Sequence, residues 1–156
     1  MTLSWLVIAV TAITAAAVAV VLLRRRFAVV TVVGPSMRPA LTNGDRVLVH
    51  RAQLARLHRG QVVVVGHPGQ AGKRQARRPR RVSGAAWMIK RVAALPGDPA
   101  LSDHLPADVV RVSARVPAGK LVVLGDNAAI SHDSRQLGYF ASDQLLGIVV
   151  RRMTIR

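Results

Sequence analysis

From Leu3 to Leu23 the chain runs 21 residues without a charge. As an α-helix this stretch is about 30 Å long, the thickness of a bilayer's hydrocarbon core. Ser4, Thr11 and Thr14 are tolerated there, because a helix can bond their hydroxyls to its own carbonyls. Trp5 stands near one end, where an interfacial anchor belongs. A cleaved signal peptide is the competing reading, but such a segment wants a shorter apolar core and positive charge before it. Here the charge follows, as Arg24-Arg25-Arg26. Residues 1–26 are therefore expected to form a retained transmembrane anchor with a basic flank. Applied literally, the positive-inside rule then puts residues 27–156 in the cytoplasm.

Beyond the anchor about 130 residues remain, room for one domain with a modest core. Aromatic residues are 3% of the chain, so that core must be built from Val, Leu, Ile and Ala. Valine is β-branched and favours strands. Strands are expected at Phe27–Val33, Arg46–His50, Gln61–Val65, Trp87–Leu95, Val109–Val112, Lys120–Leu124 and Leu146–Arg151. Gly44-Asp45, Gly97-Asp98, Pro117-Ala118-Gly119 and Gly125-Asp126 punctuate them as turns. Ala52–His58, with Leu54 and Leu57 three apart, reads as a short helix. The fold expected is mainly β: one antiparallel domain over residues 27–156, preceded by the single helix.

Residues 69–86 break the pattern. Lys73, Arg74, Arg77, Arg78, Arg80 and Arg81 stand among glycines without periodicity, which reads as a mobile basic loop between two strands. The whole chain carries a formal charge of +16, which suits anionic lipid headgroups or nucleic acid. No aromatic residue is interleaved in the loop to stack a base, so lipid is favoured over nucleic acid. A plain solvated basic surface remains the alternative.

Much chemistry is excluded by composition. There is no cysteine for a thiolate, a disulfide or a Cys-type metal site, and no glutamate for a paired-glutamate site. His50, His58, His67, His104 and His132 are not spaced like metal ligands; no metal or other cofactor is expected. Ser36 lies in Gly34-Pro35-Ser36-Met37-Arg38-Pro39, where Arg38 stands at the glycine of a nucleophile elbow. A triad of Ser36 with His132 and Asp133 is conceivable. The alternative base is Lys90, inside the apolar stretch Met88-Ile89-Lys90-Arg91-Val92. A lysine takes a proton only when neutral, and burial away from water is the route to that state. In a strand Met88, Lys90 and Val92 share one face, while Arg91 points the other way. A Lys-Arg pair with Lys90 merely reaching to solvent is the bland reading. A third stretch, Gly125-Asp126-Asn127 through Ser131, Asp133-Ser134-Arg135 and Gly138, is dense in turn-forming and hydrogen-bonding residues. Asp133 and Arg135 can brace one another there, and Ser131 can donate to a neutral lysine amine.

Together the three stretches resemble the type I signal peptidase family of membrane-bound Ser-Lys proteases. The likeness covers most of residues 27–150. Its most specific part is Lys90-Arg91-Val92-Ala93-Ala94-Leu95-Pro96-Gly97-Asp98. The resemblance implies Ser36 as nucleophile, Lys90 as general base and Ser131 orienting Lys90. It also implies Asp133 with Arg135 bracing the site, and the Ser36 amide in an oxyanion hole. Gly34 stands where some members place a hydroxyl side chain to complete that hole, so a backbone group or water must serve. Substrates would be exported precursors with signal peptides and small residues before the cut. They would bind as an added strand along Ala28–Val33 and the strand leading to Lys90, touching Val32, Val33, Met37, Met88 and Ile89.

Ala128 and Gln61 depart from the family pattern, at positions that look peripheral to the chemistry. The family keeps its catalytic domain outside the cytoplasm, against the arginine rule. Exported substrates argue for the family's orientation, in a single-pass protein of the cell membrane. Three other functions stay open: a maturation protease dedicated to a few precursors, a self-cleaving repressor and a non-catalytic membrane-anchored binding module. The repressor needs a DNA-binding domain where the apolar segment lies.

Overall fold

The computed structural model describes residues 2–68, 81–82, 87–101, 105–106 and 114–153. The apolar segment is one helix, α1 (Thr2–Arg26), ending on its three arginines. Within it, Val7–Arg26 is long and apolar enough to cross a membrane, with a mean hydropathy of 2.4. Ile8, Ile13, Leu22 and Leu23 are all more than half exposed. Its apolar side chains are not packed against the rest of the described chain. Thr11 donates its hydroxyl to the carbonyls of Val7 and Ile8, and Thr14 to that of Val10, so neither presents an unpaired polar group.

Among the described residues the rest of the chain forms one sheet of eight strands. They are β1 (Phe27–Thr31), β2 (Arg46–His50), β3 (Val62–Gly66), β4 (Arg81–Val82), β5 (Trp87–Ala94), β6 (Lys120–Leu124), β7 (Phe140–Ala141) and β8 (Leu145–Met153). Their spatial order is β4-β1-β2-β8-β3-β5-β6-β7. Every neighbouring pair is antiparallel except one: β4 lies parallel to β1, with Arg81 opposite Val29 and Val82 opposite Val30.

The valine-rich strands sit centrally because both their faces are covered. Val63, Val64 and Val65 of β3 are completely buried. By strand alternation they divide between two cores. Val64 packs with Val30, Val32, Met37, Leu41, Val47, Val49 and Ile89. Val63 and Val65 pack with Leu57, Val92, Leu121, Val123 and Phe140 on the other face. Burying one valine contributes about 1.5–3 kcal/mol. A charge at position 64 would open the core that seats the Ser36 loop through Met37.

Two expectations need adjusting. Ala52–His58 does not make a regular helix; only Leu54–Arg56 form a single 3-10 turn. The segment 69–86 is not loop throughout, since Arg81–Val82 is strand β4. The rest of that segment and the strand expected at Val109–Val112 lie outside the described residues.

Candidate active site

The loop leaving β1 carries Ser36. Val32 bonds back to the β2 side: its N–H donates to the Asp45 carbonyl, and its own carbonyl accepts from Gly44 N–H. Gly34 then turns the chain with φ +87°, a left-handed conformation that side chains strain to adopt. Its N–H donates to Asn43 Oδ1 at 3.0 Å. Met37 is 1% exposed and pins the far side of the loop into the core, which leaves Ser36 half-buried between two fixed points.

Lys90 is only 3% exposed. Its Nζ donates to Ser131 Oγ at 2.9 Å. Ser131 in turn donates to Asp133 Oδ2 at 2.6 Å. This reverses the expected direction, in which Ser131 donates to the amine. A carboxylate can only accept, so Asp133 accepts the hydrogen bond of the Ser131 hydroxyl and Ser131 Oγ is left to accept from Lys90.

Asp133 is the hub of the site. It is completely buried and accepts from Gly125 N–H at 2.7 Å, from Ser131, and from Arg135 Nε and Nη2 at 2.9 and 2.6 Å. It also caps the short helical turn Ser134–Leu137 through a capping box with Gln136. Burial pushes its carboxyl up. The hydrogen bonds from Arg135, Ser131 and the backbone outweigh that and hold it at about 2. Burial acts on Lys90 without such compensation: it pushes the ammonium below the ordinary lysine value. The charge of Asp133 resists this shift, and that of Arg135 adds to it.

Three residues tie the pieces together. A Cβ at Gly125 would stand 2.0 Å from Ser131 Oγ and 2.8 Å from the Ser36 carbonyl, so only glycine fits there. Asp126 holds Arg91 Nε and Nη2 at 2.8 and 2.6 Å. Asn127 N–H donates to the Ser36 carbonyl at 3.0 Å. One tripeptide thus touches the Ser36 loop, the lysine strand and the Asp133 network. These partners are distant in sequence, so nothing in the local pattern shows their pairing.

Ser36 and Lys90 line one cavity of about 80 Å³. Val32, Val33, Met37, Met88 and Ile89, expected to touch substrate, all line it too. Val30, Thr31 and Trp87 also line it; they lie in the two stretches expected to border the peptide but were not named individually as contacts. Strand continuity was the available signal for Thr31 and Trp87. His132 is placed elsewhere: exposed, its ring nearly parallel to that of His67. The Asp133 carboxylate is engaged by Ser131, Arg135 and Gly125, an arrangement that does not support a Ser-His-Asp triad. Among the described residues no cluster of three or more His, Asp or Glu could hold a metal.

Residues 3–104 and 100–154 match the family described as signal peptidase, peptidase S26. A probable signal peptidase I-1 of Synechocystis is 31% identical over 130 residues, which cover 72% of this chain and 63% of that protein. A signal peptidase I of Leptolyngbya laminosa is 31% identical over 135 residues, covering 75% and 64%. The chain thus spans under two thirds of the length of these relatives. A signal peptidase I structure from Enterococcus faecalis aligns over 61% of this chain and 97% of that one, at 20% identity and a TM-score of 0.41.

Proposed function

The chain belongs to the signal peptidase family, peptidase S26, and from that premise we propose that it is a membrane-anchored serine endopeptidase that removes signal peptides from exported precursors. The observation that carries this reading is the desolvated Lys90 in the same cavity as Ser36, with its hydrogen bond given to a serine whose own proton is already committed.

The direction of those hydrogen bonds fits base catalysis. A neutral lysine amine has two N–H bonds and one lone pair. Lys90 spends an N–H on Ser131, not its lone pair, which stays available for the Ser36 hydroxyl. In the proposed mechanism Lys90 takes the Ser36 proton as Oγ attacks the scissile carbonyl. The protonated lysine then gives that proton to the leaving amine, and the C–N bond breaks to leave an acyl-serine. Water, deprotonated by the same amine, releases the acid and regenerates Ser36. The Ser36 N–H is the proposed donor to the oxyanion. Gly34 N–H is engaged by Asn43 Oδ1, so a water or another backbone group must complete the hole.

The cavity favours small side chains before the cut, since Met37, Ile89, Trp87 and Val32 leave only about 80 Å³. Two strand edges border it. Val32 turns its backbone groups to the β2 side, so by alternation Thr31 and Val33 turn theirs to the other edge. β5 pairs with β6 only from Arg91 onward, which leaves Trp87–Lys90 open on that side among the described residues. An extended precursor is proposed to add a strand there.

Helix α1 is the proposed anchor, with Arg24–Arg26 against anionic headgroups. The catalytic domain is proposed to face away from the cytoplasm, where precursors emerge. A reporter fused after Arg156 tests this: activity only outside the cytoplasm is expected, and cytoplasmic activity contradicts it. For the chemistry, the detergent-solubilised protein is incubated with a precursor carrying Ala-x-Ala, and the cut is mapped. Cleavage after the second alanine is expected, and its loss in both Ser36→Ala and Lys90→Ala. Full cleavage by both variants would end the dyad reading.

A further inference from the structure

We infer that β4 caps the upstream end of the peptide slot, so that the chain itself limits how many residues before the cut can pair with β1. This deepens the proposed endopeptidase reading and rests on it. The basis is the parallel register: Arg81 stands opposite Val29, and Val82 opposite Val30. The edge of β1 that borders the cavity is the edge on which β4 lies. Val29 and Val30 are paired with β4, and among the described residues no strand pairs with this edge beyond Val30.

Direction follows from the same pair. β4 shows that an extended segment seats on this edge parallel to β1. A substrate strand in line with it runs toward Ser36, with its upstream end facing Val82. Between the position opposite Val30 and the nucleophile lie residues 31–35, of which Thr31 to Val33 continue the strand direction for about 10 Å before Gly34 turns the chain. A peptide therefore gains backbone pairing for roughly three to five residues before the cut. Residues further upstream find the edge already filled, unless β4 is displaced. In a precursor bound to a membrane this cap separates the residues read by the slot from the apolar segment before them.

The test uses the full chain in detergent, on the Ser36→Ala background so that binding is read without cleavage. Fluorescent peptides carry three, five or eight residues before an Ala-x-Ala cut, or equal extensions after it. They are titrated against the Ser36→Ala protein with native β4, with Arg81→Pro and Val82→Pro together, and with Arg81→Gly and Val82→Gly together. Glycine weakens a strand without forbidding its backbone hydrogen bonds and guards against a misfolded proline variant. Faster hydrogen exchange at Val29–Thr31 in the variants reports that β4 has been released.

With native β4, affinity is expected to stop rising between the three- and five-residue peptides. Releasing β4 should tighten the eight-residue peptide about fivefold, the contribution of about one added backbone hydrogen bond, and leave the three-residue peptide unchanged. The same length dependence with β4 released and intact overturns the cap. So does a length dependence that appears only after the cut, or failure of any peptide to bind. Cleavage by the protein with Ser36 intact is scored separately: peptides bound but never cut contradict the endopeptidase reading and leave the cap standing.

Discussion

Lys90 and Arg91 are neighbours on one strand and are treated in opposite ways. Lys90 is 3% exposed and hands its hydrogen bond to a neutral hydroxyl. Arg91 keeps 38% of its side chain exposed and forks onto Asp126, with a further bond to the Gly60 carbonyl. Burial lowers the pKa of Lys90, whereas its hydrogen bonds with Asp126 raise that of Arg91. Alternation of a β-strand is enough to send two adjacent cations into different environments. The choice of residue then matters as much as the place. A guanidinium cannot be deprotonated and suits a fixed carboxylate; an amine can lose its proton when desolvated. One strand thus supplies a brace and the proposed base.

Exchanging the properties of the two cations is the strongest way to break this comparison. Lys90→Met keeps the length and apolar stem but removes the amine. Cleavage should fall by about 10³-fold, within the range of a lost general base, while the Tm does not fall, because a buried polar amine is replaced by an apolar side chain of similar length. Lys90→Met retaining a tenth of the activity would remove the distinction between the two positions.

Asp133→Asn probes what lies behind the lysine. The folded carboxyl is held at about 2 against an ordinary value of 3.8. The sign follows from linkage: a depressed carboxylate stabilises fully above about pH 4, and that contribution is lost as pH falls toward 2. The displacement corresponds to about 2 kcal/mol. Asp133→Asn should cost at least that at pH 7 by denaturant titration, and should flatten the fall in stability between pH 4 and 2. Ser131 also becomes free to turn its proton toward Lys90. An unchanged acid limb would mean that Asp133 is not the hub.

The smallest effect belongs to the partly solvated neighbour. Arg91→Ala removes a bidentate pair that water already screens, and should cost about 1–2 kcal/mol. Its effect on cleavage should be under tenfold, through looser placement of the Gly125–Asn127 stretch. A loss as deep as that of Lys90→Met would give Arg91 a share in the chemistry.

Much of this was legible from local pattern. β2 and β6 appear at the expected residues: β2 alternates buried with less buried positions, whereas Leu121, Val122 and Val123 of β6 are buried together, as a strand with both faces covered requires. Lys90 was legible because Met88 and Val92 flank it on one face. What escaped was non-local. β4 is two residues long and pairs with a strand some fifty positions earlier, which no periodicity reveals. The proton direction at Ser131 depends on the carboxylate of Asp133 standing 2.6 Å away and on the Arg135 charge that keeps it ionised. Asn43 was not singled out, yet it takes the Gly34 amide because the chain turns back beside it.

The central claim is that Lys90 works as a neutral amine made available by burial. The pH dependence of kcat/KM on a single Ala-x-Ala precursor tests it most directly. A lowered lysine pKa means that the base appears as pH rises, so activity should climb through one ionisation below the ordinary lysine range and stay high on the alkaline side. A profile that peaks near pH 5 and falls above it would assign the base to a carboxylate or a histidine, and would contradict the role given to Lys90.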